Sequence, residues 1–221
     1  MPDTAPLRTR DDLWAATHAE RAALAEDLAH LTDDQWARPS LCGRWTVEEV
    51  VAHLTAAAST GRARWLASVL GAHFDTDLHN ERRLAEHRGA TPAETLARFR
   101  AAVPLTRAPS GHTPAWLGEV VIHAQDVRRP LGIARTPSVA AATAVATICA
   151  GRDFTVAGRT AVAGLRLEAT DGPFAHGDGP LVRGTTLALV MGMAGRAAYC
   201  DDLDGPGVPA LRDRSPRPSA G

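Results

Sequence analysis

The sequence predicts a mainly α protein, a four-helix bundle followed by a small α/β domain. Three observations carry this. Up to about residue 131 the apolar residues recur at helical spacing, behind repeated helix-start signals. After Gly132 the period changes, and LRLEAT (165–170) alternates like a half-buried strand. Gly- and Pro-rich turns then bracket further short strands before a last apolar helix. The expected boundaries are 8–131 for the bundle, 132–212 for the α/β domain and 213–221 for a disordered tail.

Residues 11–31 read as an amphipathic helix, with Leu13, Ala16, Ala23, Leu24 and Leu28 near helical spacing. The stretch from Thr32 to Arg44 holds Pro39 and Gly43 and breaks it. Thr46 opens a second helix, because Glu49 three residues on completes a capping-box pattern. Val47, Val50, Val51, Leu54 and Ala58 form its apolar stripe, and 62–70 extends it past Gly61. From Gly71 to Gly89 the chain is polar and poorly periodic, a long connection with a short helical piece. Pro92 suits the first turn of a third helix over 92–103. Thr113 and Pro114 start a fourth, expected to end near Arg129, ahead of Pro130. An Ala-rich helix over 138–150 precedes the strand at 165–170. Phe174–His176 and LVRG (181–184) are short strands, and TTLALVMGMAGR is the last helix. From Pro206 the Pro- and Gly-rich tail is expected to be disordered.

Composition narrows the function. The 221 residues carry a formal charge of -1, which gives no electrostatic case for nucleic acid or an anionic membrane as partner. All 24 basic residues are Arg, a bias expected of a GC-rich bacterial genome. Cys42, Cys149 and Cys200 are odd in number and form no Cys-x-x-Cys pair, so neither a disulfide framework nor a thiolate metal knuckle is expected. The N-terminus lacks the apolar core of a secretory signal, and no run is long enough to span a membrane. A reducing cytosol is the expected compartment.

The chemistry concentrates in two helices. WTVEEVVAHL (45–54) carries His53 next to its end, and WLGEVVIHAQDVRRPLG carries Glu119 and His123 one turn apart. Two imidazoles and a carboxylate make three of the four ligands of a catalytic zinc and leave one position open. Spacing alone does not select them. An acidic residue four before a histidine also occurs at Glu26/His30, Glu49/His53 and Asp75/His79, and such pairs can be solvated helix faces. Placement does select them: His123 flanks a stripe of Leu117, Val120, Ala124 and Val127, and His53 flanks its own stripe between Val50 and Ala57. Bundle metal sites are built from such inward-pointing edges. The alternative for each histidine is a half-buried ring bonded to a backbone carbonyl. Asp126 could orient a ligand from behind, although pairing with Arg129 or solvent is the weightier reading. His18 and His30 belong to the first helix without a clear partner, His73, His79 and His87 are expected to be solvated in the polar connection, His112 precedes the fourth helix, and His176 lies in a Gly-rich turn.

These segments carry a resemblance. LCGRWTVEEVVAHL (41–54) is similar to the first metal-binding helix of the mycothiol-dependent maleylpyruvate isomerase family. WLGEVVIHAQDVRRPLG (116–132) is similar to its second, through the closing Arg-Arg-Pro-Leu-Gly. The helical part resembles the DinB-like four-helix bundle, and residues 165–208 resemble the small sterol-carrier-like domain that follows it in many members. The likeness spans about 11–212. It implies a divalent metal, expected to be zinc, on His53, Glu119 and His123. It implies mycothiol as cosubstrate, an actinobacterial source, and a metal-held thiolate that attacks a small electrophile as isomerase or S-transferase. The family's Ala-Gly-Arg piece falls on Arg196, which with Arg83 is expected to face substrate; Arg82 and Arg183 are weaker choices, and a surface ion pair is the alternative for each. Cys42 reads as a small, partly buried thiol near the site. A non-catalytic binding module and a zinc hydrolase are the other functions this fold could carry.

Overall fold

The computed structural model describes residues 5–43, 45–59, 84–107 and 113–215. Expectations for 62–70, for most of the 71–89 connection, and for Arg82, Arg83, His73, His79 and His112 lie outside the described residues. The chain divides into two compact units. One comprises Trp14–Trp116 and His123–Ala134; the other comprises Met1–Leu13, Leu117–Ile122 and Arg135–Gly221.

Helices α1 (Arg10–Leu28), α2 (Asp33–Trp36), α3 (Val47–Ser59), α4 (Pro92–Ala102) and α5 (Thr113–Leu131) build the first unit, except that the start of α1 and residues Leu117–Ile122 of α5 count with the other. Thr9 and Asp12 cap α1 reciprocally, and the backbone N–H groups of Thr9 and Arg8 hold the Asp12 carboxyl below the usual carboxylate range. α2 lies inside the stretch read as a break. Thr32 and Gln35 form a full capping box there, which seats Trp36 in the core. The Thr46–Glu49 box opens α3 as the sequence indicates, with the Thr46 N–H 2.8 Å from Glu49 Oε2. Thr91 caps α4 with Pro92 in its first turn.

α3 and α4 pack together through buried Val50, Leu54, Leu96 and Phe99. A polar clamp reinforces the seam: the Thr95 hydroxyl donates to buried Glu48 at 2.9 Å, and Arg88 donates to the other Glu48 oxygen. α5 is tied to α1 by Arg128, whose guanidinium is fully buried. Its Nε donates to Asp27 at 2.8 Å, and its Nη1 lies 3.7 Å from Glu20.

α5 does not stop ahead of Pro130. It runs to Leu131 with the proline inside its last turn. Proline lacks the N–H that would bond the carbonyl of residue 126. That carbonyl instead accepts the Leu41 N–H at 3.0 Å, so the backbone acceptor is satisfied and the helix continues.

The second unit holds α6 (Val139–Gly151), α7 (Gly158–Ala161), strands β1 (Arg166–Ala169), β2 (Ala175–His176) and β3 (Leu181–Gly184), and α8 (Thr186–Met193). A 3₁₀ segment at Ala197–Asp202 and helix α9 (Val208–Asp213) complete it. The sheet order is β2-β1-β3, with β1 antiparallel to β2 and parallel to β3. α6 and α8 pack on each other and α8 on β1, burying Val145, Leu167, Val182 and Leu189. Gly118 of α5 faces Val145 so closely that a Cβ there would make ordinary contact at 3.6 Å. The stretch from Pro206 departs from its expected disorder. α9 buries Leu211 completely, and that apolar anchor gives a short tail segment a reason to order. Among the described residues no helix is long and apolar enough to cross a membrane.

Candidate metal centre

The loop between α2 and α3 sets the first wall. Gly43 takes φ +58°, the left-handed conformation that glycine adopts without steric cost, and turns the chain back on itself. Backbone bonds from Ser40 N to Trp45 O (2.9 Å) and from Val47 N to Arg38 O (2.9 Å) close the turn. The Ser40 hydroxyl also donates to the Trp45 carbonyl at 2.7 Å and accepts from the Cys42 N–H. The indole of Trp45 is thereby laid against the His53 ring, with centroids 4.8 Å apart, and reaches His123 at 6.4 Å. The two imidazoles meet edge to face at 5.0 Å.

α5 supplies the opposite wall. Glu119 and His123 are one turn apart on a single unbroken helix and so share a face. The ligand atoms of His53, Glu119 and His123 all lie within 4.8 Å of one another. Donors about 2.1 Å from one tetrahedral zinc are about 3.4 Å apart, so no pair starts more than about 1.4 Å beyond that spacing. Two nitrogens and one carboxylate oxygen are also a donor set that zinc accepts. The residues present therefore fit a divalent ion.

A second cluster abuts the first. His123 Nδ1 lies 2.9 Å from Asp126 Oδ2, with the Asp126 side chain wholly buried and that of His123 12% exposed. The Cys42 thiol joins these two within the same 4.8 Å limit. Of the partners open to Asp126, its side chain meets His123, as expected of a residue that orients a ligand from behind. Full burial removes solvent as its partner, and His123 takes that place. The i, i+3 spacing from His123 to Asp126 was the available signal, but it is too common on helices to stand out. Trp45 appears in the motif, yet nothing in its spacing announces that its ring lies tilted against those of His53 and His123.

The remaining expectations separate. Arg83 lies outside the described residues. Arg196 belongs to the second unit, where its guanidinium donates to the Ala194 carbonyl at 2.6 Å. Arg183 is exposed and joins Asp204 through paired backbone bonds. His30 and His176 are exposed. His18 finds a partner after all: its Nε2 is 3.3 Å from the Leu105 carbonyl, and its ring stacks on Trp14. Cys42 is half-buried, as read.

Residues 17–115 match the family model described as the mycothiol maleylpyruvate isomerase N-terminal domain. That span contains His53 and stops short of Glu119 and His123. Two solved structures share the fold: crystal structures of the mycothiol-dependent maleylpyruvate isomerase and of a histidine-to-alanine mutant of it. Each aligns with a TM-score of 0.60 and 14% identity, covering 90% of this chain and 93% of the other. No curated protein matches by sequence.

Proposed function

We propose that this chain, which belongs through residues 17–115 to the mycothiol maleylpyruvate isomerase family, is a metal-dependent thiol enzyme, an isomerase or S-transferase that uses mycothiol on a small electrophile. The observation that carries the reading is the convergence of His53, Glu119 and His123 donor atoms within 4.8 Å. A divalent ion held there, zinc by the chemistry of the donors, would lower the pKa of a thiol enough to keep it as a thiolate near neutral pH.

The chain's own residues shape the rest. His53 and His123 would offer neutral nitrogens and Glu119 one negative charge, so the ligand set leaves part of the ion's charge to attract an anionic fourth partner. Trp45 covers the His53 side with an apolar face, which limits water and fixes the ring. Arg196 and Arg83 are proposed to bind substrate carboxylate, for which a planar guanidinium is suited. The free thiols Cys42, Cys149 and Cys200 fit a reducing cytosol, and the Lys-free composition fits an actinobacterial source.

The test is incubation of zinc-loaded protein with mycothiol and an electrophile, maleylpyruvate first. Isomerisation that requires catalytic thiol, or stoichiometric thiol consumption, supports the reading, and His53→Ala abolishes either. Turnover that is indifferent to thiol would instead assign a hydrolase. No turnover with any thiol and electrophile pair would leave a binding module.

A further inference from the structure

We infer that Asp126 is a two-ended positioning residue. Its carboxylate fixes the orientation of the His123 ring, and its main-chain carbonyl, released by Pro130, anchors the loop that carries Cys42 and Trp45. The inference builds on the metal reading at one end only.

The side-chain end follows from burial and geometry. Asp126 Oδ2 sits 2.9 Å from His123 Nδ1, and the carboxylate is fully withdrawn from solvent. Against an ionised carboxylate, which only accepts, a neutral ring satisfies this contact with its proton on Nδ1. That tautomer puts the lone pair of the ring on Nε2. A carboxylate behind a ligand histidine fixes both its tautomer and its rotation.

The backbone end follows from the sequence. In an unbroken helix the carbonyl at 126 would accept the N–H at 130. Residue 130 is proline, which has none, and its ring crowds that same carbonyl. The Leu41 N–H fills the vacancy at 3.0 Å. Leu41 precedes Cys42, whose thiol reaches His123 and Asp126, and lies in the loop that holds Trp45 against His53. One residue thus ties the ring on α5 to the wall that faces it, and Pro130 makes its backbone available for the task.

The test uses the full-length protein. In the metal-free wild type, long-range proton–nitrogen NMR of the neutral His123 ring is expected to place the proton on Nδ1. Asp126→Leu, near-isosteric and without an acceptor, loses that preference and binds zinc about 10–100-fold more weakly in chelator competition. If that variant does not fold, Asp126→Ala, which also lacks an acceptor, is read in the same two assays. Pro130→Ala restores the competing N–H and speeds hydrogen exchange at the Leu41 amide without removing any metal donor. A wild-type proton on Nε2, unchanged zinc affinity in the Asp126 variants, or unchanged Leu41 exchange in Pro130→Ala overturns the inference. Wild type that binds no zinc but carries the Nδ1 proton would retire the metal centre and leave the positioning role standing.

Discussion

Single side chains in this protein take their chemistry from where they are held. The three cysteines show it. Cys149 and Cys200 are 5% and 1% exposed, and burial pushes the Cys149 thiol up to about 11 and that of Cys200 upward as well. Burial in apolar surroundings suppresses the thiolate, which is the form that reacts. Cys42 is half-buried beside His123 instead. Alkylation of the native protein at about pH 8 is therefore expected to label Cys42 first and to spare the other two until denaturant is added. Comparable labelling of all three in the native state, read by peptide mass, would contradict these placements. The convergence of His53, Glu119 and His123 could be anticipated in the sequence because both histidines sit at the apolar edge of their helices, where acid–histidine spacing alone does not single them out. The role of Trp45 could not, since it arises from a contact between the loop and α3; that of Asp126 was open from its i, i+3 spacing to His123, and burial excludes the solvent alternative.

Helices here are joined by polar fasteners as well as by apolar stripes. The buried Arg128 links α5 to α1 through Asp27 at 2.8 Å, with Glu20 further off at 3.7 Å. Removing one partner of a buried ion pair leaves an uncompensated charge, a loss of about 3–5 kcal/mol. Asp27→Ala is expected to lower stability in urea by that order; a loss under about 1 kcal/mol would mean that Glu20 alone compensates the guanidinium. The starts of elements were legible because capping is local: Thr46 with Glu49, and Thr91 with Pro92, announce α3 and α4 within four residues. The end of α5 was not. Whether Pro130 stops a helix depends on what becomes of the Asp126 carbonyl, and its partner Leu41 lies far away in sequence.

At the scale of the whole molecule, helical periodicity followed by alternation was enough to read the fold class, and the three-stranded sheet falls where the alternation does. The order at Val208–Asp213 escaped notice, because one fully buried leucine outweighs a Pro- and Gly-rich composition. α3 and α5 bring the donor atoms of His53, Glu119 and His123 within 4.8 Å of one another, the convergence on which the proposed metal centre depends. Elemental analysis after zinc loading and exhaustive dialysis tests it most directly. The expected result is one zinc per chain in the wild type and a loss of bound zinc in His53→Ala, Glu119→Ala and His123→Ala, each still folded by circular dichroism. A wild type that retains no zinc, or three variants that retain it as the wild type does, would contradict it.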